Sequence, residues 1–376
     1  MPKNRDQISL KDLAILGFMT LLPALFQFAP GAMARAAGRA AWLSGLLTFV
    51  PVSLYFGFLY LFLKNRREGE GLSEMILRAL GPAAGRAALL LNALWFLFYA
   101  AFTLRAAGER YIDTIYPASA YQVFAVATLF LAGLAAFGRT SALLRTGARL
   151  FPFVLVVAAL IFALALSKLD VHSLLPLSSG DAVPALDGAA AGFNLASGAV
   201  WAAFFVRDLP LGERKKGPAL RLALLIALTL ALLCACCQSA FGLNLTEKLN
   251  YPFFSIVRDV SLFDIITRYE ALVVSIWTLG DYFLCAALLL ISAQQLQLVF
   301  KAPVPVSRGK TLPLFRQGRW TIWLSVLAAL LLSLVIARRQ SDWRALAETY
   351  LPALKWAFAL GLYPAAFLVG KLRRAI

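Results

Sequence analysis

The sequence predicts an all-α integral membrane protein with ten transmembrane helices. Three observations predict it. The chain has 376 residues, of which 61% are hydrophobic and only 15% are charged, where a soluble domain carries about 25% charged residues. Ten apolar stretches each approach the roughly 20 residues that cross a hydrocarbon core about 30 Å thick. The basic residues sit on alternate connections between those stretches. In lipid only helices and closed barrels satisfy their backbone polar groups, and these stretches are too long and too unalternating for barrel strands.

In order, the spans are expected near 10–33, 41–63, 83–106, 119–137, 147–167, 189–208, 218–240, 270–299, 320–337 and 350–371. With no sizeable soluble insert, residues 1–376 read as one polytopic membrane domain. Span one contains Pro23, Pro30 and Gly31, with Gln27 as its one strongly polar side chain. Proline lacks the backbone donor and clashes with the preceding turn. Span six contains Gly192, Asn194, Ser197 and Gly198. Interruptions at matched positions of two five-helix halves, about 10–167 and about 189–371, are the mark of an inverted-repeat bundle. The competing explanation is close helix packing by small residues, of which Gly188-Ala-Ala-Ala-Gly192 is an example.

The connection at about 241–269 is the largest on its side. Asn250-Tyr251-Pro252 is a helix start followed by apolar residues on one side, so a short amphipathic helix is expected. It is either a gate over a cavity or an interfacial connector.

The net charge of +17 is unevenly placed. With the N-terminus inside, the inner connections and tails carry 24 Lys and Arg against 7 acids, and the outer ones carry 11 against 11. This is the positive-inside pattern, and it puts both termini in the cytoplasm. The charge therefore does not imply nucleic-acid binding, which needs a basic face with a reading module. Ala32-Met33-Ala34 has the small residues of a signal-peptide cleavage site, but Asp6 and Asp12 interrupt the basic N-terminal region.

Cys234, Cys236, Cys237 and Cys285 all fall inside spans and read as small apolar packing residues. His172, the one histidine, sits in an outer loop, so no metal constellation can be completed from it. No cofactor is expected. Two ionisable groups lie within spans, Asp281 and Lys355, and intramembrane charge is a functional expectation by default. Lys355 is about a turn and a half past Tyr350, so its long stem can snorkel outward. Asp281 is roughly 16 Å of helix from Glu270 and has no such escape. It faces a wet cavity, pairs with a base or is protonated. The expected binding pocket lies where spans one and six break, near Ala24, Gln27, Gly31, Ser197 and Gly198. Tyr99, Thr103 and Asp281 are expected to line it from spans three and eight.

These residues also carry a resemblance. Gln7-Ile8-Ser9 precedes span one, and Pro30 lies eight residues before Gly38-Arg39-Ala40-Ala41-Trp42-Leu43-Ser44. Gly138 and Leu144-Arg145 precede Pro152. Tyr251-Pro252 lies outside, and Arg268-Tyr269-Glu270-Ala271-Leu272 is followed by Trp277. In this order, with ten spans, the chain resembles the B subunit of spore germination nutrient receptors, the GerAB-type family of the amino acid–polyamine–organocation (APC) superfamily. Two positions depart from the family: Ala24–Ala29 lacks glycine, and Ala41 stands where an acid is common.

The resemblance implies a five-plus-five inverted-repeat, APC/LeuT-like fold with helices one and six broken. It implies a nutrient sensor in the spore inner membrane that binds small germinants, typically amino acids, and works with A and C subunits. The alternative is a secondary amino-acid or cation transporter of the same superfamily. A membrane enzyme is not expected, because no catalytic cluster is present.

Overall fold

The computed structural model describes residues 8–166, 170–175, 178–209, 217–259, 270–300, 319–336 and 340–375. Residues 260–269 and 301–318, in the connections expected outside and inside respectively, lie outside that set. Among the described residues all regular structure is helical. Helix α1 (Leu10–Ala37) starts with a capping box: the Asp12 N–H donates to Ser9 Oγ (3.1 Å) and the Ser9 N–H to Asp12 Oδ2 (3.2 Å). The Ser9 that contributes to the family resemblance is therefore the residue that begins span one. The chain turns at Gly38, whose φ of 56° suits glycine, and continues as α2 (Ala41–Leu47) and α3 (Phe49–Leu63).

Next come α4 (Leu72–Leu80), α5 (Pro82–Thr114), α6 (Tyr121–Ala136) and α7 (Thr140–Leu166). Span six is α8 (Ala182–Ala196), prolonged as a 3-10 helix over Ser197–Asp208. Then follow α9 (Gly217–Lys248), α10 (Pro252–Arg258), α11 (Glu270–Phe300), α12 (Trp320–Val335) and α13 (Gln340–Ala345). Span ten is built from π-helical turns at Leu346–Tyr350 and Ala357–Leu362, flanking α14 (Leu351–Trp356), and ends as α15 (Tyr363–Leu372).

Seven of these helical stretches are long and apolar enough to cross a membrane. The first, Leu10–Leu63, supplies both span one and span two. With α6 and α12, apolar but only 16 residues each, the ten expected spans are accounted for.

Helix α1 is central. It packs against α7, α8, α9 and α11, while α5 packs against α6 and α11. Close approach is set by small residues. A Cβ on Gly188 would lie 2.5 Å from Ser44 Oγ, and one on Gly192 would lie 2.4 Å from Thr48 Oγ1. The small-residue pair in span six therefore serves its contact with span two. Exposed apolar side chains such as Leu54, Phe130, Val156 and Leu327 cover the outside of the bundle, as a lipid-facing surface requires. The expected amphipathic helix is α10. Its Phe253, Phe254, Ile256 and Val257 are buried, and Phe253 stacks on Phe26 at 5.2 Å. It is tucked into the bundle rather than lying on it.

Two expectations are corrected. Span three does not end near 106. Helix α5 runs to Thr114, so Glu109 and Arg110 are, like Arg105, buried helix residues rather than connection residues. The Arg105–Glu109 ion pair at i,i+4 and the Arg105 guanidinium over the Tyr121 ring (3.6 Å) make this burial tolerable. Second, the interruptions of spans one and six take different forms. Span one is helical from Leu10 to Ala37, and Pro23 and Pro30 remove hydrogen bonds without unwinding Ala24 to Gly31. Span six changes helix type at Ser197.

Candidate functional site

Spans one, three, six, eight and ten enclose a cavity of about 490 Å³. Span one contributes Thr20, Pro23, Ala24 and Phe28. Span three contributes Tyr99, Phe102, Thr103 and Arg110. Asn194, Asp281, Lys355 and Trp356 complete the polar and aromatic wall. At the base, the fully buried Trp201 donates its Nε1–H to Thr20 Oγ1 (3.1 Å), joining span six to span one. On one side the Asn194 amide donates to the Pro352 carbonyl (2.8 Å), joining span six to span ten.

The buried charges of the cavity have opposite circumstances. Arg110 donates to the Asp281 carboxylate and to Gln27 Oε1, linking spans three, eight and one. Its guanidinium also lies 5.5 Å from the Trp277 ring centroid. The expectation that Asp281 pairs with a base is met by a residue of another helix. Lys355 does not snorkel outward. It is 5% exposed, lines the cavity, and its Nζ lies 5.2 Å from the centroid of the Tyr99 ring. Tyr99 stacks on Trp95 (5.6 Å), which stacks on Phe358 (5.1 Å).

At the mouth, Arg35 pairs with Glu348 (3.4 Å), both about half exposed, and donates to the Glu247 carbonyl (2.9 Å). A second cavity of about 400 Å³ shares Phe28, Arg35, Ala347 and Glu348 with the first. Asp113 and Tyr251 line it, and the Tyr251 hydroxyl donates to Asp113 Oδ2 (3.0 Å), tying α10 to span three.

The eight residues expected at the site are distributed over three places. Ala24, Tyr99, Thr103 and Asp281 line the central cavity. Gln27 and Gly31 line the adjoining one. Ser197 and Gly198 lie behind Tyr99, in a crevice that Tyr99 and Lys355 also border. Two hydroxyls are engaged with their own helices: Thr103 donates to the Tyr99 carbonyl (2.9 Å) and Ser197 to the Asn194 carbonyl (2.7 Å). The residues that sequence reasoning missed are Arg110 and the inward role of Lys355. The signal for Arg110 was present in Arg105 and Glu109, an i,i+4 pair that lets a helix carry charge into the bilayer.

Fold and cavity together define a class: a ten-span helical membrane protein of transporter type with a small-molecule-sized chamber at its centre. Residues 7–340 match the family described as spore germination protein, and the chain belongs to that family. It is 25% identical over 277 residues to the putative spore germination protein YfkT of Bacillus subtilis (strain 168), covering 72% of this chain and 74% of that protein.

Among solved structures it resembles Mhp1, a nucleobase-cation-symport-1 family transporter, in a closed conformation with bromovinylhydantoin bound. The TM-score is 0.64 at 16% identity, covering 97% of this chain and 79% of Mhp1. It also resembles MhsT in complex with L-phenylalanine, with a TM-score of 0.58 at 16% identity, covering 95% of this chain and 88% of MhsT. These likenesses establish the APC/LeuT-like fold.

Proposed function

We propose that this chain is the nutrient-binding subunit of a spore germination receptor. In this reading a small molecule, an amino acid foremost, enters the central cavity and shifts the chain between two conformations, and A and C partner subunits receive the signal. The observation that carries the reading is the cavity of about 490 Å³, walled by aromatic and charged side chains, in a member of the spore germination protein family. Pockets of this size hold small molecules. A ligand needs only to bind one conformation better than the other to act as a signal.

The reading includes the spore inner membrane as location. Both termini are cytoplasmic, on the strength of the charge asymmetry between connections. It also divides residues 1–376 into repeats at about 10–167 and 189–371. The Arg110–Asp281 ion pair supports a receptor over an ion-coupled carrier, because it occupies the carboxylate that lines the central cavity among its described membrane-embedded residues.

The test is germination of a deletion strain against single nutrients, with and without this gene restored. Loss of the response to one nutrient, regained on restoration, is expected. An unchanged response to every nutrient would sink the proposal. A second reading, a secondary amino-acid or cation transporter, is favoured by the likeness to Mhp1. Uptake into vesicles holding this protein alone separates the two, since accumulation driven by a proton or sodium gradient belongs to a carrier.

A further inference from the structure

The central cavity contains three cations, and two of them are committed. Arg35 is held by Glu348 and the Glu247 carbonyl. Arg110 is held by Asp281 and Gln27. The third, Lys355, is 5% exposed and has neither a carboxylate nor a hydrogen-bond acceptor among the described residues. An ammonium taken out of water without a partner is costly. The Tyr99 ring at 5.2 Å returns a small part of that cost. An anion within the cavity would offset the rest.

The helices next to it cannot supply the usual alternative for holding an anion. Span one stays helical from Leu10 to Ala37, so its N–H groups beyond the first turn are used internally. Span six passes directly from α-helix into 3-10 helix at Ser197, and its N–H groups are likewise used. Neither span therefore offers a cradle of free N–H donors at the cavity. The segment carrying Lys355 is itself unusual. Alpha-helical Leu351–Trp356 is bracketed by two π-helical turns, a form that clusters at functional sites. Span ten is anchored beside the lysine by the Asn194–Pro352 hydrogen bond.

We propose that Lys355 is the anchor for the ligand's carboxylate, so that the site takes small carboxylate-bearing molecules whose apolar part lies against Tyr99, Phe102 and Trp356. This rests on the reading of the chain as a nutrient-binding subunit and adds the group that is recognised and the residue that recognises it. The Asp281 carboxylate, held by Arg110, does not compete for Lys355. The ligand's carboxylate completes an ion pair that the folded chain leaves open.

The test uses the full chain purified into lipid nanodiscs. Thermal unfolding is followed with each standard amino acid at millimolar concentration, and with the carboxamide of each. The proteins are the wild type, Lys355→Met and Lys355→Arg. At least one amino acid is expected to raise the wild-type midpoint while its carboxamide does not. Lys355→Met should weaken that binding at least about tenfold, as loss of a charge-assisted hydrogen bond requires. Lys355→Arg should retain part of it. A carboxamide that stabilises as well as its parent acid overturns the proposal and leaves nutrient binding standing. So does full affinity in Lys355→Met. If no acid stabilises the wild type, this proposal fails, and the germination test alone decides the nutrient-binding reading. If Lys355→Met does not fold, the wild-type comparison of acid with carboxamide and the Lys355→Arg result still decide.

Discussion

Arg110 and Lys355 line the same cavity from spans three and ten, and both are nearly inaccessible. Arg110 is tied to Asp281 and Gln27, whereas among the described residues Lys355 has no ion pair or hydrogen bond and faces an aromatic ring. The contrast separates two uses of intramembrane charge. A pair that satisfies itself across three helices holds those helices in register. A charge left without a partner in a cavity is a demand on whatever enters it. Composition treats the two alike; geometry does not.

The sharpest way to break the comparison is to remove one charge at a time. Arg110→Met leaves the Asp281 carboxylate buried and alone, a change that costs about 3–5 kcal/mol. Its unfolding midpoint in nanodiscs should fall steeply, and adding Asp281→Leu should recover most of the loss. Ligand-free Lys355→Met should be as stable as the wild type or slightly more so. Equal losses in the two single variants would erase the distinction.

A smaller effect is expected where spans one and eight touch. A Cβ at Gly280 would lie 2.5 Å from Pro23 Cγ and 2.8 Å from the Met19 carbonyl oxygen. Gly280→Ala should therefore push α11 from α1 at a cost of about 1–3 kcal/mol, loosening the Asp281–Arg110–Gln27 link. Denaturation of the purified protein measures it, and an unchanged midpoint would mean the contact is slack.

Asn194→Ala should cost about 1 kcal/mol by removing the hydrogen bond to Pro352. It should weaken the nutrient response more than stability, because it frees the segment that carries Lys355. Comparing germination dose response with unfolding midpoint checks the split.

The smallest change belongs to the mouth. Arg35 and Glu348 are about half exposed, and exposed pairs contribute about 0–1 kcal/mol. Arg35→Ala should leave the midpoint within that range, and the difference should shrink as salt rises.

How much of this was legible follows from what each signal measures. Apolar length reports the cost of crossing lipid; hence a helix stands at each of the ten expected places, although α5 runs past the expected end of span three. The same measure reads a charged residue as the end of a span, which is why the expected span stops just past Arg105 and leaves Glu109 and Arg110 in a connection. Arg110 is buried with a partner far away in sequence, Asp281, 171 residues on, while Arg105 and Glu109 pair with each other. Lys355 looked free to reach out because Tyr350 is near a span boundary, but inward direction is set by packing and by the π-turns. The prolines of span one correctly marked lost hydrogen bonds. They did not specify an unwound backbone, since proline's φ is itself helical.

The 3-10 helix at Ser197–Asp208 is 12 residues long, where runs beyond three or four are uncommon. At about 2.0 Å per residue it extends roughly 24 Å, whereas the same residues as α-helix would extend roughly 18 Å. The segment that follows the cavity-lining part of span six is thus wound tighter, and is about 6 Å longer, than the same residues would be as α-helix. Its far end is clamped by Arg66, which donates to the Val206 and Leu209 carbonyls at 2.9 Å each. Shifting each hydrogen bond by one residue would shorten that coil and turn Trp201 about its axis, so stroke and rotation are already present in the pitch of a single helix.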